Sequence, residues 1–264
     1  MFLPDFIDLA QSEKYSLSIR LAPNGFSFLI FLTSDKSVYY YNKREYSNSL
    51  SVSENIKKIF FESSLFTHPF NSIIVSIVSP RYTMIPESFF DKEMVVDLFN
   101  FNFHGEHGKV MHNSIDSDIE IVFDMEKEIY SFLHRSLWNP KFTSLMSQLI
   151  PFCKSYGEIK RKRFFIFLEE DISTIICFDG DTLLSANSFI DLEEDDITYN
   201  IVNIWDKHQF DQNEDLLYIS STTDNNINLT STLKQLINNV ETIKLPENNM
   251  DVQIPTDILI QLCE

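Results

Sequence analysis

The sequence brings metal-capable side chains together in the segment HGEHG at 104–108. His104 and His107 are three residues apart with Glu106 between them, and His112 follows shortly after. Imidazoles and carboxylates bind zinc, but a zinc site needs three or four ligands that surrounding hydrogen bonds hold in place. Because glycines punctuate the segment, we expect a flexible surface loop and predict no metal site.

Carboxylates are concentrated at two places in the second half of the chain, Glu169–Asp171 and Glu193–Asp196. Ribonuclease H-type nucleases hold divalent cations on carboxylates that converge from several strands. The second run, however, stands where a helix is predicted to begin, and its charge suits the positive end of a helix dipole. A carboxylate–metal nuclease is therefore a third hypothesis only, and we predict no catalytic residue and no cofactor.

Motifs for phosphate binding and covalent catalysis are missing from the sequence. Its five glycines form neither G-x-G-x-x-G nor G-x-x-x-x-G-K-[ST], and no G-x-S-x-G occurs. Cys153, Cys177 and Cys263 show no C-x-x-C spacing, and the N-terminus has no basic region followed by a long apolar run. These features favour the reducing cytoplasm as the location.

The charge of the chain excludes some partners. Asp and Glu number 39 against 21 Lys and Arg, for a net charge of -18, and a field of this sign repels nucleic acid and anionic lipid surfaces. The basic run Lys160–Arg163 is expected to be a solvated edge or a linker. No apolar stretch approaches the ~20 residues of a membrane helix, so we predict no membrane insertion.

Strands and helices alternate through the first half. Asn24-Gly25 is a hairpin signal between the strand that starts at Tyr15 and FSFLIFLT, and 37–42 adds a third antiparallel strand. This half therefore reads βββ-α-β-α-β-α. The later predicted elements are a helix capped by Ser51 or Ser53, a strand at 72–80, a connection at 81–86, a helix at 87–101, a strand at 119–125, a helix at 126–138 and a helical segment at 141–156 that Pro151 kinks or ends.

The second half repeats this order. RFFIFLE, ISTIICF and TLLSANSF form another three-stranded meander, and alternating helices and strands follow up to a final helix from Thr256. We place the boundary near Gly157, which gives lobes at 1–156 and 157–264. A repeat at a spacing of about 150 residues predicts duplication of a whole lobe and not a solenoid.

A β-meander followed by alternating helices and strands is typical of ribonuclease H-like lobes, and two of them resemble the actin-like ATPase superfamily. The segments LSIRL…NGFSFLIF, IIVSIVSPRYTMIPESFFD and RFFIFLEEDISTIICFDGDTLL look like those of a Bacteroidetes family with an actin-like fold and unknown function. Pilus-assembly proteins of the PilM type are distantly similar to it. The resemblance covers nearly the whole chain and implies an α/β fold of duplicated ribonuclease H-like lobes.

The resemblance also implies where a nucleotide would bind. In active actin-like ATPases each meander starts with an acidic, glycine-containing hairpin that wraps the phosphates. Here LAPNGF at 21–26 has no Asp, and its Pro23 removes a backbone donor. LEEDIS at 168–173 has no glycine, and neither has 219–224, which matches the adenosine-side motif. The predicted vestigial turn positions are Asn24, Gly25, Glu170, Asp171 and Ser221.

The predicted fold is complete, whereas the turns that would bind phosphate lack the residues for it. This difference leads to two functional hypotheses. The first is a non-catalytic actin-like scaffold or adaptor that binds another protein, without ATP hydrolysis. The alternative is a chain that holds a nucleotide or another small ligand in the cleft between the lobes, with weak or no ATPase activity. Fold similarity does not separate the two, because function resides in the site.

Overall fold

A computed structural model describes residues 3–116, 118–169, 172–190, 193–222, 227–246 and 253–263. The chain divides into two compact units, unit 1 (Met1–Ser147) and unit 2 (Gln148–Glu264). Lobe limits at 1–156 and 157–264 stay a prediction. Within the described ranges, no helix is long and apolar enough to cross a membrane.

Unit 1 contains two sheets and the helices that cover them. Its strands are β1 (Tyr15–Ala22), β2 (Gly25–Leu32), β3 (Asp35–Glu45), β4 (Ser72–Ile77), β5 (Tyr82–Pro86), β6 (Lys109–Ile115), β7 (Ile119–Met125) and β8 (Lys141–Ser144). Its helices are α1 (Val52–Phe61), α2 (Val95–Asn102) and α3 (Lys127–Ser136), and α4 (Leu145–Ser155) runs on into unit 2. Short 3-10 helices lie at Leu9–Lys14, Ser64–Thr67, Glu87–Phe89 and Lys92–Met94.

The larger sheet of unit 1 has the strand order β3-β2-β1-β4-β8. β1 and β2 pair antiparallel across a two-residue turn, which confirms the predicted hairpin, and β4 pairs parallel to β1. Nearly every residue of β1 and β2 is buried, as in strands covered on both faces. Of the two proposed caps of α1, Ser51 is the one present, in a capping box with Glu54.

The smaller sheet, in the order β5-β7-β6, was not predicted. The connection expected at 81–86 contains β5, and the loop expected around the histidines ends in β6. The prediction of a connection at 81–86 was wrong. The segment 104–108 does lie outside helices and strands, but His112 lies in β6, whose polar side chains bond to neighbouring residues and so hide the alternation of a strand. Ile85, Phe99, Val110 and Val122 form the core between this sheet and α2.

Unit 2 contains one five-stranded sheet. Its strands are β9 (Lys162–Leu168), β10 (Ile172–Asp179), β11 (Thr182–Ile190), β12 (Leu216–Ser221) and β13 (Val240–Thr242), and its helices after α4 are α5 (Glu194–Lys207), α6 (Ile227–Leu236) and α7 (Thr256–Cys263). The order β11-β10-β9-β12-β13 matches that of the larger sheet of unit 1 strand for strand. As in unit 1, the first three strands are antiparallel and the next two add in parallel. An origin by duplication stays a prediction.

A buried arginine fixes the end of α4. Arg163 is 0% exposed, and its Nη1 donates to the carbonyls of Cys153 (3.0 Å), Lys154 (3.1 Å) and Tyr156, while Nη2 donates to Gly180 (2.8 Å). The last carbonyls of a helix have no hydrogen-bond donors inside the helix, and here the guanidinium supplies those donors. The prediction that this basic run is a solvated edge or a linker was therefore wrong for Arg163.

The segment predicted as one helix at 141–156 was also only partly right. Its first four residues form β8, which pairs parallel with β4, and α4 follows directly. Pro151 lies inside α4, and the helix continues to Ser155. Pairing with β4 thus overrides the helical periodicity at the start of this segment.

Candidate functional site

A groove of about 1030 Å³ opens in unit 1 at the carboxyl ends of β1 and β4. These strands are parallel neighbours, so their ends meet at one edge of the larger sheet. The first turns of α1 and α3, the end of β7 and the segment 105–108 complete its walls. Apolar lining comes from Leu21, Ala22, Val52, Ile56, Ile77, Val78, Met125 and Ile129.

An ion pair closes one side of the groove. Arg81 Nε donates to Asp124 Oδ1 at 3.1 Å, and Nη2 donates to Oδ2 at 3.2 Å. The guanidinium also lies over the rings of Phe99 and Phe103, at 5.4 and 5.2 Å from their centroids. This bidentate, stacked arrangement fixes the arginine against the smaller sheet. The groove wall therefore has a rigid charged element.

A glycine brings the histidine segment onto β7. The Gly108 N–H donates to Asp124 Oδ2 at 3.0 Å, and a Cβ on this residue would lie 1.8 Å from the Met125 carbonyl oxygen. Only glycine allows this close approach. His107 Nδ1 lies 2.9 Å from the carbonyl oxygen of Gly108, which can only accept, so this nitrogen carries the proton. The segment is thus held by specific contacts near its end.

The histidines of the candidate cluster lie in different surroundings. His107 lines the groove, whereas His112 lies in β6, with Nδ1 at 2.8 Å from Glu120 Oε2. Ser114 donates to the other oxygen of Glu120, and the Phe90 ring packs at 4.9 Å from the imidazole. His112 therefore belongs to a polar cluster of the smaller sheet. Among the residues that the structure describes, no group of three or more His, Cys, Asp or Glu could hold a metal.

The charges that line the groove are mostly negative. Arg81 and Lys127 are the basic residues, and Glu106, Asp124, Glu126 and Glu128 are the acidic ones. Asp124 is neutralised by Arg81, and Lys57, outside the lining, pairs with Glu128. The remaining charge of the lining is negative, so it disfavours a polyphosphate and favours a neutral or basic group.

The first predicted phosphate turn is a tight hairpin beside this groove. Ala22 faces Gly25 across the turn, and the Asn24 carbonyl accepts from the Tyr46 N–H at 3.0 Å. Gly25 is the first residue of β2, and a Cβ there would lie 3.1 Å from the Arg44 carbonyl oxygen. Packing between β2 and β3 therefore gives this glycine a role that does not involve a ligand.

The other predicted turn positions lie in unit 2. Glu170 and Asp171 fall outside the described residues. Of the residues on either side of them, Glu169 donates its N–H to the Ile172 carbonyl at 3.0 Å. Ser221 ends β12 opposite Leu168, and the Thr222 N–H donates to the Leu168 carbonyl at 3.0 Å. The structure thus brings the position of Ser221 next to the start of the second turn, as two parallel strands that end together require.

Tyr46 is a groove residue that the sequence did not single out. Its hydroxyl is buried and has no hydrogen-bond partner among the described residues, and burial raises the pKa of Tyr46 well above its usual value. A buried hydroxyl without a partner costs stability. The sequence gives no signal for it beyond an aromatic residue after a strand.

Comparison with protein families identifies the chain. Residues 5–240 match the family described as "Protein of unknown function (DUF3822)", and the chain belongs to this family. No curated protein matches the chain.

A solved structure confirms the predicted fold class. A Bacteroides thetaiotaomicron VPI-5482 protein with an actin-like ATPase fold and unknown function is 29% identical, with a TM-score of 0.84. The match covers 97% of this chain and 98% of that one. The predicted resemblance to a family from Bacteroidetes with this fold is therefore confirmed.

Two more distant structures share the fold. PilM, in the PilM–PilN type IV pilus biogenesis complex, is 11% identical at a TM-score of 0.51, covering 87% of this chain and 88% of that one. The cytoplasmic domain of EpsL, an inner membrane component of the Vibrio cholerae type II secretion system, is 9% identical at 0.53, covering 94% of both chains. At these identities the comparison concerns the fold alone.

Proposed function

We propose that this chain is a non-catalytic actin-like scaffold or adaptor that binds a segment of another protein in the groove of unit 1. The observation that carries the proposal is the groove itself, which has an apolar floor and a wall of paired charges. Apolar floors with a few fixed polar groups are typical of binding sites.

The predicted phosphate turns support a role without hydrolysis. Pro23 in the first turn has no N–H, and Gly25 serves the packing of β2 against β3. The carboxylates of Glu106 and Glu126 line the groove beside this turn. The turn itself thus lacks the run of glycine backbone donors that holds a triphosphate.

The fold is compatible with an adaptor role. PilM forms a type IV pilus biogenesis complex with PilN, so a protein of this fold can bind a protein partner. The buried free thiols of Cys153 and Cys177 suit the cytoplasm, which stays our proposed location.

Site-specific crosslinking tests the groove. A photoreactive p-benzoylphenylalanine at Val52, which lines the groove, is compared with the same residue at Phe89, an exposed position outside it. In the native host we expect one light-dependent protein adduct from position 52 and none from position 89. The purified partner should then bind the wild type and lose at least tenfold in affinity with Val52→Asp.

Calorimetry with ATP and Mg²⁺, together with a phosphate-release assay, tests the proposal that the chain does not hydrolyse ATP. We expect neither binding heat nor phosphate release. Turnover at micromolar ATP would overturn the proposal. Nucleotide binding without turnover, together with no adduct from position 52, would favour the alternative, a nucleotide or small-ligand binding protein.

A further inference from the structure

The exposed face of α5 in unit 2 is unusually apolar at its centre. Tyr199 is 69% exposed and Val202 is 48% exposed. They lie three residues apart and therefore share one face, whereas Ile201, Ile204 and Trp205 of the same helix are buried in the core. We call this surface, from Asp196 through Tyr199, Val202 and Asn203 to Asp206, the α5 face.

A recess continues the α5 face at its carboxyl end. It has a volume of about 630 Å³ between the last turns of α5 and the segment 209–212. Trp205 and Phe210 form its apolar floor, with ring centroids 4.8 Å apart. Gln209 has a positive φ of 54°, and Lys162 Nζ donates to the His208 and Gln209 carbonyls at 3.0 Å each. The recess is thus preformed and held in place.

The floor of the recess contains a donor without an acceptor. Trp205 is buried, and its Nε1 has no hydrogen-bond partner within the described part of the chain. Buried indole N–H groups usually have a hydrogen-bond acceptor, and a buried N–H group without one costs about 1–3 kcal/mol of stability. The indole ring of Trp205 thus contributes an apolar surface to the floor of the recess, while its N–H stays buried beneath that surface.

Negative charge frames this surface at both ends. Asp195 and Asp196 lie in the first turn of α5, and Asp206 and Asp211 line the recess. No Lys or Arg is among the described residues that line the recess, and Lys207 follows Asp206 by one position, which turns it about 100° around the helix. This charge repels nucleic acid, anionic lipid and a second copy of a chain with net charge -18.

We propose that the α5 face binds a basic amphipathic helix of a partner protein. Its apolar stripe packs on Tyr199 and Val202, and one of its side chains enters the recess. Lys or Arg residues about three turns apart on that helix pair with Asp196 and Asp206, which are separated by about 15 Å along α5. The α5 face is a different surface from the groove of unit 1, so either proposal can be overturned while the other stands.

A displayed peptide library tests the inference without knowledge of the partner. Randomised 18-residue helical peptides are selected on the purified full chain, with Tyr199→Ser/Val202→Ser as the counter-selection. We expect enriched peptides to combine an i, i+3, i+4, i+7 apolar stripe with basic residues near both ends. Peptides without the stripe but with equal charge control for non-specific attraction to an acidic protein.

Selected peptides are then measured by fluorescence anisotropy. Tyr199→Ser/Val202→Ser should weaken binding at least tenfold, and Asp206→Lys should weaken it severalfold and flatten its dependence on salt. Phe61→Ser removes an exposed aromatic side chain from unit 1 and should change nothing. Equal binding to the wild type and the double variant, failure to enrich any face-dependent peptide, or enrichment of acidic peptides would overturn the proposal.

Discussion

The larger sheet of unit 1 and the sheet of unit 2 share one strand order, yet they differ in what connects their last two parallel strands. Between β12 and β13 the described elements consist of α6, whereas between β4 and β8 the chain forms β5, α2, β6 and β7 before α3. The added sheet supplies Asp124 and the segment 105–108 to the groove. The extra sheet thus lies within the connection between two parallel strands, and it builds one wall of the groove.

The comparison extends to one arginine in each unit. In unit 2, the guanidinium of the buried Arg163 donates to backbone carbonyl oxygens and lies near aromatic rings. In unit 1, Arg81 lies at the groove wall, paired with Asp124. Where a cation is surrounded by backbone acceptors it serves stability, and where it is paired at a surface it can take part in recognition.

The largest effect should come from Arg163→Ala. It removes the guanidinium donors from four carbonyl oxygens, three around the end of α4 and one at Gly180, and empties the buried site, so we expect unit 2 to lose about 3–5 kcal/mol. Urea unfolding followed by Trp205 fluorescence, with Trp138→Phe as the background, measures it. Arg161→Ala, at an exposed pair with Glu158, should cost less than about 0.5 kcal/mol. Equal losses would show that burial of Arg163 contributes nothing.

The added sheet should be sensitive to Gly108→Ala. The new methyl would lie 1.8 Å from the Met125 carbonyl oxygen, and backbone must move, so we expect a loss of about 2–3 kcal/mol. Hydrogen exchange of the β6 and β7 amides reports it. Gly25→Ala, with its nearest contact at 3.1 Å, should cost less than about 1 kcal/mol. A reversed order would contradict the tight approach of the segment to β7.

These results also mark what the sequence could predict. The β1–β2 hairpin was predictable, because Asn24-Gly25 separates two apolar runs. β6 was not, because His112 and Ser114 are strand residues whose polarity is balanced by Glu120, a partner on another strand. Periodicity reports burial of apolar residues, and it fails where the polar side chains of a strand bond to a buried carboxylate such as that of Glu120.

The same reason limits prediction of the sites. The vestigial turns were placed by resemblance, but the groove depends on an approach between Gly108 and Met125 that only tertiary structure creates. Arg163 looked like one member of a basic run, since its carbonyl partners lie in α4 and at Gly180. Tyr199 and Val202 fit an ordinary amphipathic helix until their exposure is known.

Alkaline pH should destabilise unit 2 more than unit 1. All three cysteines lie in unit 2, and burial raises the pKa of Cys177 from 9.0 to about 12 and that of Cys153 in the same direction. A raised folded pKa gives stability that is present below pH 9 and is lost as pH rises toward 12. Between pH 8 and 10, Cys177 alone should cost unit 2 about 1.4 kcal/mol.

Unit 1 serves as the internal control for this pH effect. Its Tyr46 begins to contribute only above the ordinary tyrosine pKa of about 10. The protection factors of the β1 amides, corrected for base-catalysed intrinsic exchange, should therefore stay unchanged up to that pH. Cys177→Ala should remove part of the alkaline loss seen by Trp205 fluorescence, and Cys263→Ala, at an exposed thiol, should remove none. An equal loss in both units would mean that the thiols are not its cause.

The smallest effects should come from the helices that follow each meander. α1 starts with Ser51 and a capping box, whereas Glu193 at the start of α5 makes no side-chain capping bond. Ser51→Ala should therefore cost unit 1 about 1 kcal/mol, and Glu193→Ser should stabilise unit 2 by a few tenths of a kcal/mol. Urea midpoints of the two variants measure the difference. If Glu193→Ser destabilised unit 2, its charge at the helix dipole would outweigh the missing cap, and the two helices would begin by different physical means.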